Sequence, residues 1–170
     1  SPARAEVGLP EDAFVFCCFN NNYKILPDIF GRWMRVLQAT PNSVLWLYEG
    51  NDACASSLRS HAEAAGISGS RLVFAPPVPL AEHLARLKVA DLFLDTLPCN
   101  AHTTASDALW AGLPLLTCLG DVFQGRVAAS LLRALSMDEL VTHDLDEYEA
   151  EAIALAREPL RLAGIRQKLA

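Results

Sequence analysis

The run Ala90-Asp-Leu-Phe-Leu-Asp95, followed at Cys99-Asn-Ala-His-Thr-Thr-Ala-Ser-Asp107 by a polar turn, decides the fold, because a buried strand hands over there to a helix. Helix formers run from Ala105 to Ala111 and stop at Gly112 and Pro114. A helix start leaves backbone N–H groups without intrahelical partners, and beside two hydroxyls and an imidazole these make a site for a diphosphate. A capping box also fits: Thr104 caps the helix, and Asp107 reaches back to it. One hydroxyl suffices for a cap, so His102-Thr103-Thr104 as a unit favours a ligand; the two readings can coexist.

Working outward, strands and helices alternate. Ala13-Phe-Val-Phe-Cys-Cys-Phe19 is apolar throughout, as a strand covered on both faces must be, and ends in the turn-forming Asn20-Asn21-Asn22. A helix over Pro27 to Gln38 puts Ile29, Phe30, Trp33, Val36 and Leu37 on one face. There follow a strand at Val44 to Tyr48, a helix over Ala53 to Ala65, and a strand at Arg71 to Phe74 that runs into Ala75-Pro-Pro-Val-Pro79. Beyond these the pattern predicts a helix from Leu80 to Lys88, the strand at Ala90, a strand at Leu115 to Cys118, and a helix from Phe123 to Leu135. A short apolar segment at Leu140-Val141 and helices over Asp144 to Arg157 and onward to Leu169 close the chain. This alternation implies right-handed crossovers and a doubly wound α/β parallel sheet, Rossmann-like, of five or six strands. Ligands bind such sheets at the carboxyl ends of the strands, which is where most of the conspicuous polar residues fall.

The 170 residues, 52% hydrophobic, suit one domain spanning 1–170 with a full core. A net charge of −6 argues against a nucleic-acid surface. Five cysteines lie mostly in apolar runs without zinc spacing, which suits reduced thiols in a cytoplasmic protein. The apolar runs are too short to span a bilayer, and the start Ser-Pro-Ala-Arg-Ala carries no leader pattern, so the expectation is a soluble piece of a longer protein with no membrane partner.

Lys24, just after the first strand, can reach the cleft at the Thr103/Thr104 helix start, where a cation would neutralise charge on a departing phosphate without a metal. Asn21 is either a turn residue or a ligand contact. His83 and Arg86, three apart on one helical face, could hold a base together with the backbone of Ala75 or Pro76. Asp107, about one turn into its helix, could accept from ribose hydroxyls. Asp144-Leu-Asp146 has the Asp-x-Asp form of a manganese ligand pair but opens a helix, which makes it a cap. No Gly-x-Gly-x-x-Gly, P-loop or nucleophile elbow is present, so dehydrogenase, nucleotide-hydrolase and serine-hydrolase readings have no support.

Phe19-Asn-Asn-Asn-Tyr-Lys-Ile25, Pro41-Asn-Ser-Val-Leu-Trp-Leu47, Leu94-Asp-Thr, Cys99-Asn-Ala-His-Thr-Thr104, Asp107-Ala-Leu-Trp-Ala-Gly112 and Arg126-Val-Ala-Ala-Ser130 together resemble the carboxyl-terminal catalytic half of the protein O-GlcNAc transferases, collinearly over nearly the whole chain. The resemblance implies the donor-binding half of a GT-B glycosyltransferase, holding UDP-GlcNAc for inverting transfer of GlcNAc to Ser or Thr of acceptor proteins. It implies that Lys24 stabilises the leaving UDP, that His102, Thr103 and Thr104 hold the phosphates with Asn21 and Cys99 also at the donor, that His83, Arg86 and Ala75 serve the uracil, and that Asp107 serves the ribose. Neither metal nor other cofactor is implied. A first catalytic domain, tetratricopeptide repeats upstream and the general base are expected outside this segment, which alone should bind nucleotide and turn nothing over. The family commonly has Gln where this chain has Asn21, and Lys where it has Leu80. The rival readings are a Spindly-type O-fucosyltransferase using GDP-fucose and a catalytically silent nucleotide-binding or interaction domain.

Overall fold

The computed structural model describes residues 2–20, 25, 27–50, 52–96, 103–118 and 127–169, and of 103–105 and 127–128 the backbone alone. Six strands pair in parallel in the order β3-β2-β1-β4-β5-β6: β1 (Phe14–Cys18), β2 (Ser43–Tyr48), β3 (Leu72–Ala75), β4 (Leu92–Leu94), β5 (Leu115–Cys118) and β6 (Val141–Thr142). The helices are α1 (Pro27–Ala39), α2 (Asp52–Ala64), α3 (Leu80–Leu87), α4 (Thr103–Trp110), α5 (Val127–Ala134), α6 (Leu145–Arg157) and α7 (Pro159–Leu169). The doubly wound sheet anticipated from the apolar runs is present, and its strand order reverses between β1 and β4.

The strands are apolar because both faces of the sheet are covered: Val15, Phe16, Cys17 and Cys18 of β1 and Leu45, Trp46 and Leu47 of β2 are fully buried. In register, Cys17 lies between Trp46 of β2 and Phe93 of β4. The pleat therefore puts these three side chains on one face, with Phe19 on the same face two residues on. On α1, the expected stripe of Ile29, Phe30, Trp33, Val36 and Leu37 is buried, and Met34 is buried with it. Thr40 ends that helix by donating its hydroxyl to the Val36 carbonyl at 2.7 Å and its N–H to Leu37 at 3.2 Å. Trp33 of α1 donates its indole N–H to the Tyr148 hydroxyl at 2.9 Å, which joins α1 to α6 across 115 residues of sequence.

Three boundaries differ from the sequence reading for physical reasons. The strand expected at Ala90 begins only at Leu92, because Asp91 turns its carboxylate back to accept the Val15 N–H at 2.8 Å and to pair with Arg4 at 3.0 Å. Arg71, expected in a strand, belongs to a 3-10 turn at Gly69–Arg71. The helix expected from Ala105 begins at Thr103, which places Thr104 inside its first turn; the Thr104 side chain, on which the capping box depends, lies outside the described residues. That helix ends as anticipated: Gly112 takes φ 81, a left-handed conformation that glycine adopts without steric cost, and Leu113 N–H closes on the Ala108 carbonyl at 2.9 Å.

Candidate functional site

The site is built where β1 and β3 end and α3 and α4 begin. Four residues of prolyl and apolar backbone, Pro76 to Pro79, stop β3 after Ala75 and launch α3 with Pro79 at its N-cap. A cleft of about 320 Å³ lies against this corner, lined by Phe19, Tyr48, Leu80, His83, Arg86 and Asp107 among others. His83 and Arg86 of α3 and Asp107 of α4, with Asp107 21 residues beyond Arg86, share one wall of this cleft.

Arg86 is the organising side chain. It is 4% exposed, donates from Nη1 to the Pro76 carbonyl at 2.6 Å and from Nε to His83 Nδ1 at 3.2 Å, and lies 5.0 Å over the Phe19 ring. Its Nη2 makes no hydrogen bond among the described residues. Phe19 is the pedestal, edge-on to His83 at 5.4 Å and to Trp46 at 4.9 Å. Because His83 Nδ1 accepts from Arg86, the proton of the neutral ring resides on Nε2, which leaves a donor. Burial, with the Arg86 charge beside it, pushes the His83 pKa down, and the Asp107 carboxylate only partly offsets this. The ring is therefore neutral at physiological pH. A neutral donor ring, an aromatic-backed guanidinium and a nearby carboxylate suit a planar, polar heterocycle with hydroxyls attached.

The Ala75 carbonyl accepts the Glu49 N–H at 2.8 Å, and the Pro76 carbonyl is held by Arg86. Leu80 stands 63% exposed at the cleft rim. Asn21, Lys24, Cys99 and His102 lie outside the described residues, as do the side chains of Thr103 and Thr104, whose backbone opens α4.

Beside the cleft, at the strand-order reversal, is a polar cluster that the sequence reading did not single out. Asn20 donates to Thr96 Oγ1 at 2.7 Å, Thr96 N–H donates to Asp95 Oδ1 at 2.8 Å, and Thr117 donates to Asp95 Oδ2 at 2.7 Å. The Tyr148 hydroxyl donates to the Asp95 carbonyl at 2.8 Å. Asn20, Asp95, Thr96 and Thr117 are all buried. The one available signal was polar residues at or near the carboxyl ends of three otherwise apolar strands, at 20, 95 and 117. The Asp-x-Asp pair has another use, as expected: Asp144 caps α6, accepting the Glu147 N–H at 2.7 Å, and Asp146 pairs with Arg32. No described helix is long and apolar enough to cross a membrane.

The parallel sheet with its reversal between β1 and β4, and a cleft at the carboxyl ends of its strands, define the Rossmann-like half of a GT-B glycosyltransferase. The glycosyl transferase family 41 model matches residues 2–170, and the chain belongs to that family. It is 38% identical over 169 residues to an Arabidopsis thaliana protein named probable UDP-N-acetylglucosamine–peptide N-acetylglucosaminyltransferase SEC, covering 99% of this chain and 17% of that one. A Solanum lycopersicum protein with the same enzyme name, SPINDLY, is 33% identical over 159 residues, or 91% of this chain and 17% of its own length. Among solved structures, a mutant Thermobaculum terrenum O-GlcNAc transferase superposes with a TM-score of 0.89 at 34% identity, covering 94% of this chain and 33% of that one. The chain thus spans about a sixth of the curated relatives, 17% in both cases.

Proposed function

We propose that this chain is the donor-binding domain, 1–170, of a protein O-GlcNAc transferase, taking UDP-GlcNAc and serving inverting transfer of GlcNAc to Ser or Thr of acceptor proteins. The observation that carries the reading is the Arg86–His83–Phe19 corner facing Asp107. In this reading the uracil lies against Arg86, His83 and the Ala75 backbone, and the ribose hydroxyls donate to Asp107. The diphosphate meets the backbone N–H groups at the start of α4, with Thr103, Thr104, His102, Cys99 and Asn21 around it, and the Lys24 ammonium absorbs charge as UDP leaves. No metal is required, since the cation and the helix start supply the electrostatic stabilisation; EDTA should leave turnover unchanged. The acceptor side and the general base belong to a first catalytic domain, and the protein works in the cytoplasm.

A second reading, GDP-fucose as donor, comes from the resemblance of the sequence motifs to the Spindly-type O-fucosyltransferases. Calorimetric titration of the full-length protein with UDP and GDP separates the two, with UDP expected to bind at least about tenfold tighter. Tighter GDP would favour the fucosyl reading, and binding of neither would end the donor reading. Donor binding without transfer to any acceptor pool would mark a silent domain.

A further inference from the structure

The base cleft has two ends, and each sets an acceptor beside a donor. At one end the Asp107 carboxylate acts on His83. At the other, burial lowers the Arg86 pKa and the Tyr48 phenol is foremost among the groups that oppose this, so its oxygen lies within electrostatic reach of the guanidinium. The sheet explains that neighbourhood. Tyr48 closes β2, and strand alternation puts it on the face of Trp46, two residues back. Cys17 pairs with Trp46 and Phe19 follows Cys17 by two, so Tyr48 stands beside the Phe19 ring on which Arg86 rests. Tyr48 is half-buried and lines the cleft with Arg86, yet among the described residues its hydroxyl makes no hydrogen bond. A phenylalanine would pack here as well; the unengaged oxygen is what packing leaves unused.

Arg86 carries donors only, and its Nη2 has no partner among the described residues, while a phenol oxygen can accept. Side by side they match a ring carbonyl next to a ring N–H, the lactam edge that uracil and guanine share. Cytosine and adenine present an amino group where that carbonyl would lie, and two sets of donors then face each other. Of the other described side chains lining the cleft, only Asp107 has an acceptor to spare, because His83 Nδ1 takes Arg86 Nε, and Asp107 stands at the His83 end. We propose that Tyr48 is a specificity-determining residue whose hydroxyl oxygen accepts the ring N–H of a lactam nucleobase while Arg86 donates to the adjoining carbonyl. The proposal rests on the donor reading above but not on the choice between UDP and GDP, since both bases carry this edge.

The test titrates the full-length protein, wild type and Tyr48→Phe, with UDP, GDP, CDP and ADP. Tyr48→Phe keeps the ring and removes only the oxygen, so the melting temperature should be nearly unchanged. Wild-type protein should bind the tighter of UDP and GDP at least about tenfold more tightly than its amino counterpart, CDP or ADP. Tyr48→Phe should weaken that nucleotide about five- to tenfold and leave the amino counterpart within about twofold, because an amino edge pushed off by Arg86 never reaches Tyr48. Equal weakening of both members of a pair, or weakening of neither, would overturn the role of Tyr48 and leave the donor reading intact. So would wild-type protein that does not separate the two members. Binding of none of the four would overturn the donor reading and this proposal with it.

Discussion

The two ends of this sheet use arginine in opposite ways. At the amino ends of the strands the guanidiniums are consumed by backbone. Arg4 donates to the Val89, Glu11 and Ala13 carbonyls and to Asp91, Arg157 to Ala39, and Arg166 to Ala90. Arg71 spans the Leu37, Thr40 and Ser43 carbonyls and the Ser43 hydroxyl. A hollow of about 520 Å³ lies at that end, lined by Arg4, Asn42 and Arg157, and it is larger than the base-side cleft. Yet its Arg4 and Arg157 are occupied in closing loops. At the carboxyl ends, Arg86 gives one donor to a carbonyl and one to an imidazole, rests its face on a ring, and among the described residues leaves its Nη2 without a hydrogen-bond partner. The proposed donor site is accordingly placed by the uncommitted donors and not by the larger volume.

The largest expected effect is a double dissociation between these two ends. Arg71→Ala removes four hydrogen bonds that tie β2 and the end of α1 together and should cost about 2–3 kcal/mol in denaturant unfolding while leaving UDP affinity unchanged. Arg86→Ala should weaken UDP by roughly ten- to a hundredfold at a smaller cost in stability. If Arg71→Ala also weakens UDP, the contrast between the ends is broken. Asp107→Asn sharpens the contrast within the cleft: donor KM should rise about tenfold with kcat and melting temperature nearly unchanged. A loss of melting temperature with normal KM would assign Asp107 to the helix instead of the ribose.

The smallest effect is in pH. The folded His83 pKa lies below its ordinary value of 6.5, so below that value the unfolded chain binds the proton more readily than the folded one. Stability contributed by the neutral ring is therefore present above about pH 6.5 and is lost as pH falls toward the folded value. Protonation also removes the Nδ1 lone pair that accepts from Arg86. UDP affinity should decline modestly between pH 7 and pH 5, and His83→Gln should flatten that dependence in a calorimetric pH series.

Regularly patterned features were legible before the structure. β1, β2 and β5 follow directly from apolar runs, and α1 from its five-residue stripe, because burial and period are local properties. His83 and Arg86 were legible as a pair because three residues of helix place them together. Features made by distant pairing were not. Nothing near Trp33 announces Tyr148, and nothing in Leu94-Asp-Thr tells that the carboxylate will be clasped by Thr117 and Thr96. The start of α4 shows the same limit at a boundary: a four-residue spacing fits any helix that starts within a turn of it, and α4 starts at Thr103, two residues before the run of helix formers.

Tyr148 also bears on the order in which this chain acquires its shape. Its hydroxyl is the partner of both the Trp33 indole and the Asp95 carbonyl, two fully enclosed groups laid down in the first 95 residues. A chain emerging from the ribosome with β1 to β5 already out still holds both groups open until α6 arrives. Nascent polypeptide stopped before residue 145 should thus stay protease-sensitive, and maturation of the domain waits on the segment from residue 145 onward.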